Sequence, residues 1–231
     1  MLDKRVLVAG ASGDIGHAIA TRLVQVGAAL LLLGRHPEKM PGIGVSKPRH
    51  EPAFLQVDLT DLGAVERLGE GLPGSKSLDA LVLSVGAYHR SEDPGVLPVQ
   101  LEANVTGPYA LLRTLLPSLV ESKGQLVFVN SSQALRAGAE VGQYAATKHA
   151  LKAIADSLRE EVNRHGVRVS SIYLGRTAGN RQREIFAMEG RVYKPERLIQ
   201  PSDVADIVLH LLQLPRTAEV TDVTIRPMRP L

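Results

Sequence analysis

Tyr144 and Lys148 stand four residues apart in the stretch QYAATK (143–148), which reads as helical. At that spacing two side chains lie on one helix face, about one turn apart. The residue types suit proton transfer. A free phenol, with a pKa of about 10, holds its proton too tightly to cycle near neutrality. A neighbouring ammonium favours the phenolate and brings that pKa down. Ser131 and Ser132 stand at the end of an apolar run, and Asn104 is a polar residue in apolar helical company, where it needs a partner. Each feature alone has an ordinary explanation: a chance pair on a helix surface, a turn that closes a strand, a solvated asparagine. Their order, and the elements that carry them, argue against coincidence.

Those elements alternate. Runs rich in Val, Ile and Leu predict strands over 5–10, 29–34, 53–58, 78–86, 124–132, 167–175 and 219–227. Helical periodicity falls between them, over 15–27, 59–72, 97–122, 143–166 and 201–214. The third of these helices is expected to bend near Pro108 and to end near Pro117 or just beyond it. The last opens at Pro201, with Ser202 or Asp203 as its cap. Residues 35–52 carry four prolines and read as a long, mobile connection where a helix would ordinarily lie. Strands apolar on both faces that alternate with helices form a parallel sheet covered on both sides. The expected fold is α/β: a doubly wound, seven-stranded Rossmann-type sheet in three layers, one domain over 1–231. Ligands of such sheets bind beyond the carboxyl ends of the strands. Ser131 and Ser132 fall on that edge.

Composition narrows the partners. The chain is 44% hydrophobic and 22% charged, as an ordinary globular protein is. It has no cysteine, which excludes disulfides, thiolate metal sites and cysteine nucleophiles. A net charge of +3 and 3% aromatic residues make neither the basic footprint nor the stacking platform of a nucleic-acid binder. No run reaches the roughly 18 apolar residues of a membrane span, and MLDKRVLVAG enters a strand without a signal-peptide pattern. A cytoplasmic location is the expectation.

AGASGDIG (9–16) joins the first strand to the first helix. Gly10, Gly13 and Gly16 permit a tight turn and close approach of backbone to phosphate, and Ser12, Asp14 and Ile15 complete a helix start whose free N–H groups face an anion. The spacing resembles the T-G-x-x-x-G-x-G turn of the short-chain dehydrogenase/reductase family. Gly10 and Gly16 match the outer glycines, Asp14 stands where the middle glycine usually does, and Ala9 replaces the threonine. In dinucleotide folds an acidic residue after the second strand selects NAD. Here Gly34 holds that position and Arg35 follows it. An arginine pairs with a 2′-phosphate, with Ser12 and His36 near enough in sequence to assist, so NADP(H) is expected in preference to NAD(H). The segment QVDLTD resembles the family's adenine-side segment and points to Asp58 and Leu59. LSVGA (83–87) falls where the family has Asn-Asn-Ala-Gly, with Gly86 matching and Ser84 replacing an asparagine.

Asn104, Ser131, Tyr144 and Lys148 together resemble the family's catalytic tetrad. The resemblance implies transfer of hydride between nicotinamide and a carbonyl or secondary alcohol, with Tyr144 as general acid/base. Lys148 then also holds the nicotinamide ribose, the serine positions the substrate oxygen, and Asn104 helps hold a water that passes protons to Lys148. Ser131 lies thirteen residues before Tyr144 and Ser132 twelve; the resemblance to the family's spacing makes Ser131 the expected serine, and alternation on a strand lets only one of the two face the site. Gly175 and Thr177 fall where the family contacts the carboxamide, and residues 176–200 where it has a substrate lid. The arginines of that lid admit an anionic substrate, although interleaved glutamates read more simply as a solvated helix. The family also implies a small-molecule substrate, no metal, and a homodimer or homotetramer. Two other functions share these residues: a cofactor-binding sensor without turnover, and a nucleotide-sugar epimerase or dehydratase.

Overall fold

The computed structural model describes residues 1–37, 43, 48–72 and 77–229. Its strands are β1 (Arg5–Ala9), β2 (Ala29–Gly34), β3 (Ala53–Gln56), β4 (Ala80–Leu83), β5 (Gln125–Ser131), β6 (Arg168–Leu174) and β7 (Asp222–Ile225). They form one seven-stranded sheet in the order β3-β2-β1-β4-β5-β6-β7, with every neighbouring pair parallel. The chain works outward from β1 through β2 to β3, then returns to pair β4 with the other side of β1. That reversal opens a crevice between the carboxyl ends of β1 and β4.

The helices are α1 (Asp14–Gln25), α2 (Leu62–Arg67), α3 (Val96–Leu101), α4 (Gly107–Glu121), α5 (Gly142–Val162), α6 (Asn180–Met188) and α7 (Pro201–Gln213). Alternation along each strand supplies both faces of the sheet. Leu7, Leu31 and Leu33 join one core with Leu111 and Leu115 of α4 and Leu151 of α5. Val6, Val8, Leu30 and Leu32 join the other with Ile19 and Leu23 of α1 and Val208 of α7. This is the expected three-layer Rossmann-type fold. No helix among the described residues is long and apolar enough to cross a membrane.

Several boundaries differ from the sequence reading, each for a local reason. The helix expected over 59–72 is α2 and a 3₁₀ turn at Leu68–Glu70, because the Asp61 carboxylate accepts the Ala64 N–H at 2.9 Å and starts the helix there. β4 stops at Leu83, and its exit to Gly86 needs the positive φ of 157° that glycine tolerates. α7 is preceded by Gln200, whose N–H donates to the Asp203 carboxylate at 2.9 Å, so Asp203 caps from the third position rather than the first. The segment 176–200 holds α6 and a 3₁₀ turn at Pro195–Arg197, with Phe186 buried against Tyr193. Of the connection over 35–52, residues 38–42 and 44–47 lie outside the described residues.

The long third helix is interrupted. α3 passes into a π turn at Glu102–Thr106 before α4 begins, and the Gly107 N–H bonds the Glu102 carbonyl five residues back. Pro108 has no N–H to offer the Asn104 carbonyl four residues back, which accounts for the break. Pro117, by contrast, does not end α4, which runs on to Glu121. Both Pro117 and Arg113, whose carbonyl loses its donor, lie on the exposed side, where water serves that carbonyl.

Candidate active site

The carboxyl ends of β1, β4, β5 and β6 border a cleft of ≈ 300 Å³. Gly13, Asp14, Ile15 and Gly16 line one end, Ser84 and Gly175 the floor, and Ser131, Tyr144 and Lys148 the other end with Thr177 beside them. The β1–α1 turn is shaped by contacts that exclude side chains. Gly10 has φ +82°, and a Cβ there would overlap the Ser84 carbonyl oxygen, while one on Gly16 would overlap the Gly10 carbonyl. The α1 N-cap, Gly13, offers no side chain to the first-turn N–H groups, so they are free to meet an anion in the cleft.

Asp14 leans the other way. Its carboxylate accepts the Asn180 N–H at 2.8 Å, and a Cβ on Gly179 would overlap it. The residue that departs from the family's glycine pattern therefore ties the β1–α1 turn to the start of α6. Sequence reading had no signal for this tie, since 166 residues separate the partners.

Ser131 ends β5 and Tyr144 rises from α5 beside it. Burial pushes the Tyr144 phenol above its usual range, the nearby Ser131 hydroxyl and the Arg181 guanidinium pull it back, and Tyr88 raises it slightly. The Tyr88 ring packs edge-on against Tyr144 at 5.0 Å. Lys148 is 3% exposed, with its ammonium 5.6 Å from the centroid of the Tyr144 ring. Burial, then Arg181, lowers its pKa to about 8. Lys148 is not among the groups that shift the Tyr144 phenol here. The ammonium lies over the ring face, and burial of the phenol is the largest influence on it. The strand-alternation argument for choosing a serine fails as stated, because the strand ends at Ser131 and Ser132 begins a 3₁₀ turn. Both serines border the cleft, and Ser131 is the one near enough to the Tyr144 phenol to influence it.

Asn104 is fully buried and acts as a clamp. Its Oδ1 accepts the Ala87 N–H at 2.6 Å, and its Nδ2 donates to the Ala87 carbonyl at 2.9 Å and to Thr147 Oγ1 at 3.0 Å. Thr147 in turn donates to the Tyr144 carbonyl at 2.8 Å. The loop after β4 is thereby locked to α5, one residue from Lys148. A Cβ on Gly86 would stand 3.1 Å from Lys148 Nζ and 3.2 Å from Asn104 Oδ1, so glycine is what lets this loop pass so near the ammonium. Asn130, which the sequence reading missed, joins β5 to the same helix. Its amide donates to the Lys148 carbonyl at 3.2 Å and its Oδ1 accepts the Ser131 N–H at 2.8 Å. Its only sequence signal is its place before the serine pair.

Of the remaining expected residues, Ser12, Arg35, Asp58 and Leu59 do not line the cleft. Ser12 approaches Gly34 at the end of β2, where a Cβ would be 3.5 Å from the serine oxygen. Asp58, held below the usual carboxylate range mainly by the Thr60 N–H, also feels Arg35 and His36, so these residues share one corner. Leu59 does not reach that corner with its side chain. It packs in the core, and its carbonyl abuts Gly107. Thr177 donates to the Gly175 carbonyl at 3.2 Å and pairs with Ile199 in an isolated bridge.

A parallel sheet with its crevice at the β1–β4 switch, a glycine turn open to anions and a Ser–Tyr–Lys cluster on the same edge define a nucleotide-dependent oxidoreductase. The chain belongs to the short-chain dehydrogenase family, whose model matches residues 4–190. Relatives along its whole length include an uncharacterized oxidoreductase of Staphylococcus aureus, 28% identical over 99% of both chains. Another, from Staphylococcus epidermidis, is 29% identical over 98% of both. Among solved structures, a short chain dehydrogenase from Shigella flexneri complexed with NADP superposes with a TM-score of 0.86, at 26% identity over 97% of both chains. An alcohol dehydrogenase from the archaeon Thermococcus sibiricus, complexed with 5-hydroxy-NADP, gives 0.83 at 25% identity over 99% of both.

Proposed function

We propose that the protein is an NADP(H)-dependent oxidoreductase that interconverts a carbonyl compound and a secondary alcohol, with Tyr144 as general acid/base. The observation that carries this reading is the Ser131–Tyr144–Lys148 cluster on the cleft wall, with the Lys148 ammonium 5.6 Å from the centroid of the Tyr144 ring. The cleft suits a dinucleotide on its own evidence. Side chains are excluded at Gly10 and Gly16, the first turn of α1 is uncapped, and the Lys148 ammonium makes no hydrogen bond or ion pair among the described residues. When bound, the nicotinamide supplies the hydride and takes it back.

The chain's own residues do the rest. Ile15 and Gly16 offer backbone N–H groups to a pyrophosphate, Gly13 shapes the turn with its own N–H held by the Gly10 carbonyl at 3.1 Å, and Lys148 donates to ribose hydroxyls. Gly86 leaves room for them, and Gly175 and Thr177 border the carboxamide. Arg35, with Ser12 beside Gly34, receives a 2′-phosphate, and Asp58 faces the adenosine. Ser131 donates to the substrate oxygen. Burial keeps the Tyr144 phenol protonated near neutral pH, the state needed to protonate an oxygen as it becomes alcohol. Asn104 is a positioning residue that holds the Ala87 loop and α5 together. NADP complexes among the solved relatives support the choice of cofactor.

The test is NADPH oxidation, followed by absorbance, across a panel of ketones and aldehydes. Tyr144→Phe is expected to lower kcat by about a thousandfold, within the usual span for a positioned acid, while the fold is retained. Full activity in that variant would remove Tyr144 from the mechanism.

A further inference from the structure

Arg181 stands at the start of α6 and borders the cleft. Its guanidinium lies close enough to Tyr144 and Lys148 to lower both. Among the described residues it has no carboxylate partner, and it donates instead to the neutral Gly86 carbonyl at 2.5 Å. Two further donors converge on the same side. Arg176 Nη1 and Gln182 Nε2 are buried without a hydrogen-bond partner among the described residues, and both residues line the cleft.

The local charge is positive. Two acids line the cleft, Asp14 at the α1 end and Glu189, and Glu189 is shared by Arg176 at 2.6 Å and Arg191 at 3.6 Å. Arg90 acts on Glu189 as well and is paired to Glu140. These groups gather near the phenol: Arg176 and Glu189 both act on Tyr88, whose ring is packed on Tyr144. The pyrophosphate end of the cleft has its own donors in the first turn of α1, and Asp14 adds a negative charge there.

On the oxidoreductase reading above, we infer that the substrate carries a carboxylate and that Arg181 is its receptor, assisted by Arg176 and Gln182. Unpaired buried donors are costly, and a carboxylate satisfies them with charge-assisted bonds stronger than the one Arg181 makes to a carbonyl. A surplus of cations at the mouth also draws an anion in. The lid is therefore more than a solvated helix: its first turn selects for charge.

The test compares acids with their methyl esters at three spacings: pyruvate, acetoacetate and levulinate, each against its ester, with NADPH. The wild type is expected to prefer one acid over its ester by about tenfold or more in kcat/KM, a preference that weakens with added salt. Arg181→Gln is expected to collapse that acid-to-ester ratio toward one, and Arg181→Lys to keep part of it. The ratio cancels any common effect on Tyr144 or on folding. NADPH affinity, measured by titration of cofactor fluorescence, is expected to change less than twofold. Equal use of acids and esters by the wild type would overturn the inference while leaving the oxidoreductase reading intact. So would an Arg181→Gln variant that binds NADPH tenfold more weakly with its acid-to-ester ratio unchanged, since Arg181 would then serve the cofactor phosphates. Turnover of none of these six compounds by an enzyme that reduces other ketones or aldehydes would overturn the inference and leave the oxidoreductase reading intact, and only failure across the whole carbonyl panel would remove both.

Discussion

Replacing Lys148 with methionine is expected to make the protein more stable and inactive at once. Burial holds the ammonium at about 8 instead of 10.5. At 1.36 kcal/mol for each pKa unit, that interval is worth about 3 kcal/mol. The sign follows from linkage. The folded value lies below the unfolded one, so the buried charge costs stability in full below about pH 8. The cost fades as pH rises from there through the unfolded pKa, as the unfolded chain loses its proton too. Methionine keeps the length of the stem and removes the charge. Urea unfolding of wild type and Lys148→Met without cofactor, at pH 7 and pH 10, isolates this one group, because every other titrating residue is common to both. The variant is expected to gain about 2–3 kcal/mol at pH 7 and under about 1 kcal/mol at pH 10. A variant less stable than wild type at pH 7, or a gap that does not change with pH, would refute the argument. Such a residue is retained against its cost because the proposed reaction needs a cation there.

Two more outcomes follow from the geometry. Asn104→Ala removes three hydrogen bonds of 2.6 to 3.0 Å and strands buried partners on Ala87 and Thr147, so a loss of about 3 kcal/mol is expected in denaturant titration; a loss under about 1 kcal/mol would show that the clamp is not needed for stability. Arg35→Ala is expected to lower the NADP-to-NAD ratio of kcat/KM by about tenfold or more, from the loss of charge-assisted bonds to a 2′-phosphate; an unchanged ratio would place the selection elsewhere.

Much of the site was legible in order and spacing. Tyr144 and Lys148 share a helix face because the period of a helix is local, and Ser131 reaches the ligand edge because apolar runs mark where strands end. Local chemistry also placed the glycine turn, since positive φ at Gly10 is written in its residue type. The π turn was only half legible. Pro108 announced a break, but the widened turn around Asn104 depends on what the Asn104 side chain grips on the facing loop.

By itself, then, the sequence determined the alternation of strands and helices, their direction in the sheet, and the residue types available at its carboxyl edge. These depend on neighbours within a few positions and on the burial of both sheet faces. Tertiary structure alone decided the state of the groups. It placed the Lys148 ammonium over the Tyr144 ring, made burial the main influence on both pKa values, and brought Asp14 to the start of α6 and Arg181 to the Gly86 carbonyl. Desolvation and long-range charge depend on distances across the fold, and residues 95 or 166 positions apart carry no local sign that they will meet.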